Sequence, residues 1–208
     1  MSAQLERLIQ ALQLQPGVGP RAATRIAYYL LDHRREDAKQ LGQVLGEAMD
    51  KIKLCQCCRN YSDEDRCEIC KNPKRLESGQ LCVVESPSDV AAIEQSNHYF
   101  GRYFVLHGHL SPIDGIGAAE LGLQQLAQIL ATGTIKELIL ATNPTIEGDA
   151  TATFIANLAA MYQIPEVTKI ASGVPLGGAV DTIDPKTLIS SLMNRRPLSS
   201  GTAVSSGA

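Results

Sequence analysis

Two cysteine pairs, Cys55-x-x-Cys58 and Cys67-x-x-Cys70, stand eight residues apart, and they constrain this chain more than any other feature. Each pair sets two thiols at one turn, and two such turns close a tetrahedral four-sulfur zinc site. A disulfide framework belongs to oxidising compartments. A redox dithiol needs only one pair, beside a βαβ unit. Neither fits as well as zinc. Four thiolates leave no open position for water, so such a Zn²⁺, one per chain, is structural. The surrounding segment has too few apolar side chains for a core, so the metal has to supply its folding free energy. Cys57 lies inside the first pair and competes as a ligand, but the two-residue spacing favours Cys58. Cys82, in an apolar run, reads as a buried core thiol.

Residues before this cluster read as all-helical. Leu5, Leu8, Ile9 and Leu12 recur at helical spacing, as do Ile26 with Leu30, and Leu41, Leu45, Met49 and Ile52. Between the first two helices stands Pro16-Gly17-Val18-Gly19-Pro20. Its Gly-x-Gly-x-x-Ala string mimics a dinucleotide fingerprint, but that motif follows a strand, and here a helix precedes it. A helix, a tight Gly17-x-Gly19 turn and a second helix suggest a helix-hairpin-helix. There the glycines let backbone approach a phosphate, and amides at the next helix start point toward it. Arg21 and Arg25, four apart, share a face of that helix and add charge. Contact of this kind is independent of base sequence and sensitive to salt. The alternative is a loop that only joins two helices.

From residue 80 the rhythm changes to short apolar runs, Leu81–Val84, Tyr103–Leu106, Leu138–Ala141 and Val167–Ala171, alternating with helices. Ser86-Pro87-Ser88-Asp89 and Asp184-Pro185 are helix starts, and Gly148 to Tyr162 carries an apolar stripe. The alternation predicts a mostly parallel sheet with helices on both faces. The whole is a multi-domain α/β protein. In such sheets sites form beyond the carboxyl ends of strands. Glu85 and Asp89 follow one strand there, and Asn143, Glu147 and Asp149 follow another. These carboxylates either hold Mg²⁺ or serve as caps and pairs. His107 and His109 read as loop residues. No Gly-x-x-x-x-Gly-Lys-Ser/Thr string occurs, so a P-loop nucleotidase is unsupported.

Net charge is −3, which argues against nucleic acid, but the distribution does not. Residues 1–75 hold 13 Lys and Arg against 10 Asp and Glu, whereas residues 76–208 hold 6 against 12. The asymmetry suggests a basic contact surface in the first part and an acidic one in the second. At 4% aromatic residues with no Trp, the composition argues against a binder built on stacking platforms. No window of eighteen apolar residues occurs and the N-terminus lacks a secretory apolar core. A cytoplasmic protein without a membrane partner is expected.

In this order the segments resemble the RecR family of bacterial recombination mediators. The resemblance runs from about Leu5 to Leu198. Besides the hairpin and the cysteines it is carried by Cys82-Val-Val-Glu-Ser-Pro-Ser-Asp89, Gly108-His-Leu-Ser-Pro-Ile-Asp-Gly-Ile-Gly117, Ala141-Thr-Asn-Pro-Thr-Ile-Glu-Gly148 and Gly173-Val-Pro-Leu-Gly-Gly178. It implies a helix-hairpin-helix over 1–53, a zinc finger over 54–78, a Toprim domain over 79–172 and a C-terminal oligomerisation region over 173–198; the low-complexity string Ser-Ser-Gly-Thr-Ala-Val-Ser-Ser-Gly-Ala over 199–208 reads as a disordered tail. It also implies a ring-like homotetramer around DNA that acts with RecO and RecF to displace single-strand-binding protein and load RecA at gaps. By the same resemblance Arg21 and Arg25, with Gly17 and Gly19, contact DNA, and Cys55, Cys58, Cys67 and Cys70 hold zinc. Glu85 matches the Toprim glutamate, and Asp89 with Glu147 lies where the acidic patch meets RecO. Catalytic Toprim domains carry Asp-x-Asp where this chain reads Asn143-Pro144-Thr145, which argues against an enzyme. A Mg²⁺-dependent phosphoryl-transfer enzyme and a scaffold without DNA contact are the alternatives.

Overall fold

A computed structural model describes residues 2–171 and 183–193. Two compact units emerge: Met1–Lys53 with Ser62–Asp65, and Leu54–Tyr61 with the chain from Arg66 onward.

In the first unit α1 (Ala3–Leu12), α2 (Pro20–His33) and α3 (Arg35–Lys51) follow one another. Ile9, Ala23 and Ala27 are buried, with Leu5, Leu8, Leu12 and Val18 packed around them. The alanines let α1 and α2 approach closely, since no larger side chain separates them. α3 buries none of its residues.

The second unit opens on the cysteine module. The two-residue strands β1 (Lys53–Leu54) and β2 (Tyr61–Ser62) bracket its first turn, and the short helices α4 (Glu68–Lys71) and α5 (Pro73–Glu77) follow. Beyond it come β3 (Gln80–Val84), α6 (Pro87–Ser96), β4 (Arg102–Val105), α7 (Leu123–Leu130), β5 (Glu137–Ala141), α8 (Ile146–Met161), β6 (Glu166–Lys169) and α9 (Pro185–Met193). The sheet runs β4-β3-β5-β6. All its pairs are parallel, with Leu81 opposite both Arg102 and Leu138, and Glu137 opposite Glu166. Each predicted apolar run is a strand, displaced by a residue or two at its ends.

Alternate residues of these strands fill two cores, as the two-residue strand period requires. Leu81, Val83, Phe104, Leu138 and Leu140 meet α7 and α8 through Leu126, Leu130 and Ile155. Cys82, Val84, Tyr103 and Val105 pack with Val90 of α6. Helices thus cover both faces, and Cys82 is the expected core thiol. α6 starts at a capping box in which Ser86 and Asp89 exchange bonds with each other's backbone. α8 starts two residues before the expected Gly148, because the Thr145 hydroxyl accepts from the Gly148 N–H. The expected oligomerisation region 173–198, apart from α9 and the two residues before it, and the tail 199–208 lie outside the described residues. Among those residues no helix is long and apolar enough to cross a membrane.

Candidate functional site

The cysteine module builds its centre from two tight turns. The Cys55 N–H donates to Asn60 O and the Arg59 N–H to Cys55 O, at 2.8 and 2.9 Å, which folds the first pair back on itself. Cys67 stands at the start of α4 and Cys70 within it. The sulfurs of Cys55, Cys58, Cys67 and Cys70 all lie within 4.8 Å of one another, and all four residues are buried. Cys58 and Cys67 Sγ are 3.5 Å apart. Zn–S bonds of about 2.3 Å in a tetrahedron put sulfurs about 3.8 Å apart, so the cage fits zinc with little adjustment. Hydrogen bonds from Cys58 and Cys70 hold the Cys67 thiol well below the ordinary thiol range, while the bond with Cys67 pushes Cys58 up and the bonds with Cys58 and then Cys67 push Cys70 up. Zinc binds thiolates, so its binding releases the protons that the cage carries. Cys57 lies outside the cage and its sulfur accepts from Arg66 Nε at 3.2 Å.

The module is bolted to the edge strand β4. The Val105 N–H donates to Cys58 O at 2.8 Å, and His107 Nε2 donates to Arg59 O at 2.6 Å. Arg59 sits at φ 63°, a conformation that non-glycine residues rarely adopt. Its guanidinium lies 5.8 Å above the Phe104 ring and donates through Nη2 to Glu120 O at 3.1 Å. Gly122, at φ 68°, leaves room for it: a Cβ there would stand 1.7 Å from Arg59 Nη1. On the other face Arg75 of α5 grips Glu94 with both amines, at 2.9 and 2.6 Å. Tyr103 Oη also donates to Glu94, at 2.7 Å. Sequence reasoning assigned no role to Arg59, Arg75 or Gly122 and treated His107 as a loop residue. A positive-φ arginine leaves no trace in spacing or periodicity.

In the helical unit the hairpin turn closes by a Val18 N–H to Gln15 O bond, with Gly17 at φ 79°. Gly19 caps α2 without any side-chain bond, Pro20 opens the helix, and the first turn holds no acid. Space above both glycines is open to at least 4 Å. Arg21 and Arg25 are exposed on α2, and neither makes an ion pair among the described residues.

At the carboxyl edge of the sheet the three acids differ. Glu85 is buried, at 5% exposure. One of its oxygens accepts from the Asn143 N–H at 2.9 Å, and the other from Asn143 Nδ2 at 2.6 Å. His109 Nδ1 lies 3.6 Å from the second oxygen, outside hydrogen-bond range. Asp89 is half-buried and accepts from the Ser86 N–H at 2.8 Å as the cap of α6. Glu147 is exposed in the first turn of α8. Asp149 is paired with Lys169.

A helical hairpin with a bare basic helix start, a closed four-cysteine cage and a parallel sheet with a carboxylate at its edge define a modular, metal-braced α/β protein. Family models match all three parts. The Toprim domain covers residues 79–171, the RecR helix-hairpin-helix residues 5–49 and the RecR four-cysteine zinc finger domain residues 52–72. The chain belongs to the RecR family. DNA binding and a role in recombinational repair follow from that family, and the four-cysteine cage is its structural zinc site.

Proposed function

We propose that this chain is a cytoplasmic, non-enzymatic DNA clamp that acts with RecO and RecF to help load RecA at single-stranded gaps. The start of α2 carries the reading. Gly17 holds the one backbone conformation that turns the chain there, Gly19 leaves the first amides uncapped, and Arg21 and Arg25 stand free beside them. That combination suits a phosphodiester backbone, without base readout. Several hairpins in one ring multiply modest contacts. Self-association is supported by α3, where Leu41, Val44, Leu45 and Met49 form an exposed stripe at helical spacing. As partner contacts, Glu147 offers a free carboxylate for a basic surface on RecO. Asp89 and Glu85 serve it indirectly, by setting α6 and the Asn143 loop. At the Toprim edge Asn143 presents a donor where metal-dependent phosphoryl transfer needs an acceptor.

The test is a native gel of labelled gapped DNA at low salt, comparing the wild-type chain with Arg21→Ala/Arg25→Ala, and a denaturing gel of the same samples. A shift lost in the double variant, with DNA intact, is expected. Cleavage that follows the protein and disappears in Glu85→Gln would overturn the clamp in favour of an enzyme.

A further inference from the structure

Only two buried side-chain polar atoms among the described residues lack a hydrogen-bond partner, and both are guanidinium nitrogens: Arg59 Nη1 and Arg102 Nε. Native chains rarely bury an unpaired donor of a charged group, and such a group asks for an explanation. Both arginines line the seam between the cysteine module and α7. A cleft of about 610 Å³ opens beside Arg59, and a second of about 420 Å³ beside Arg66 and Arg102. The clefts share Gln56, Gln125 and Gln128, and neither is lined by a carboxylate. Gln125 Nε2 donates to Gln56 O at 2.5 Å, which fixes α7 against the module. Arg66 reaches the same seam with a single bond, to the Cys57 sulfur. Arg59 is moreover held at positive φ, and Gly122 clears the space for its guanidinium.

The guanidiniums of Arg66 and Arg102, the side-chain amides of Gln124 and Gln128 and no acid make a receptor for phosphate esters. Each cleft has the volume of a small-ligand pocket, far too narrow for a duplex. We propose that this seam is a second nucleic-acid contact, separate from the hairpin, that holds one or two nucleotides of a single strand. Arg66 and Arg102 take phosphate oxygens, and Gln124 and Gln128 meet sugar or base edges. With no aromatic side chain free to stack there, binding is sequence-tolerant and electrostatic. The inference shares with the clamp reading only the premise that the chain engages DNA, and the hairpin and seam are altered separately so that either can fail alone.

The experiment measures fluorescence anisotropy of a labelled oligothymidylate with the zinc-loaded full chain across a salt series. Arg66→Gln/Arg102→Gln is made both alone and on the Arg21→Ala/Arg25→Ala background. Loss of two single-strand phosphate contacts lowers the slope of log affinity against log salt by about 1.4, and single-strand binding that survives the hairpin change disappears. Gln128→Glu, on an exposed face with no bond to lose, places a carboxylate between the clefts and weakens binding without altering the fold. It decides the matter if the arginine variant loses zinc. Competition by thymidine monophosphate assigns the seam to free nucleotides as well, and competition by oligonucleotide alone assigns it to a strand. Unchanged affinity and salt slope in Gln128→Glu, with zinc content and melting as in wild type, overturn the proposal.

Discussion

Asn143→Asp turns a donor into an acceptor 2.6 Å from a buried carboxylate and alters little else. The magnitude follows from the local geometry. Two carboxylates with charge centres about 4 Å apart repel by about 4 kcal/mol at an effective dielectric near 20. Position 143 is exposed on one side, and halving the repulsion for solvent leaves about 2 kcal/mol. Loss of a charge-assisted bond to Glu85 adds about 2 kcal/mol. A total near 4 kcal/mol corresponds to a fall in melting temperature of roughly 10 °C for a unit of this size. The penalty has a definite sign with pH. A folded pair of facing acids binds a proton more tightly than the unfolded chain does. The deficit is therefore full in mild alkali and shrinks as pH falls toward the ordinary carboxylate range. Calorimetry at a series of pH values, in buffer free of divalent cations but with zinc retained, reads both effects. Millimolar Mg²⁺ should restore part of the loss in the variant and leave the wild-type chain unmoved, since only the variant offers two anionic oxygens. Equal stability of variant and wild type in mild alkali without divalent cations would refute the bond between Glu85 and Asn143 as a lock.

Three further outcomes are expected. Removing zinc, by a strong chelator or by Cys67→Ser, melts residues 54–75, read as lost hydrogen-exchange protection there; acid acts in the same direction, because bound zinc needs all four thiolates. Gly122→Ala forces a left-handed conformation on a side chain and drives its Cβ into Arg59. It costs about 3 kcal/mol in denaturant unfolding, with zinc retention falling alongside. Arg75→Ala leaves Glu94, itself only 29% exposed, without its cation. Urea unfolding should show a loss of about 2–3 kcal/mol, and Arg75→Ala/Glu94→Gln should recover part of it.

Much of this protein is written in short-range signals. The metal cage is legible because Cys-x-x-Cys spacing is itself the geometry of a sulfur-binding turn. The helices starting at Pro20, Pro87 and Pro185 announce themselves by proline, and Ser86 with Asp89 adds a reciprocal cap. The strands are legible because β3, buried on both faces, needs a continuous apolar run, and Leu81–Val84 supplies one. α7 is not legible in the same way, because it follows Gly122 in a left-handed turn with no side-chain cap and so carries no start signal. What the amino-acid order alone determined is whatever is decided within a turn or two of chain: metal ligation, helix starts, strand runs and the bare hairpin at Gly17. The order β4-β3-β5-β6, the Arg59 clamp under Gly122 and the burial of Glu85 were decided only by the tertiary structure. Glu85 meets Asn143 across 58 residues and Arg59 meets Glu120 across 61. Contacts of that span exist only once the sheet has closed, so an acid that looks available for a partner in sequence becomes, in the fold, a buried acceptor saturated by an amide.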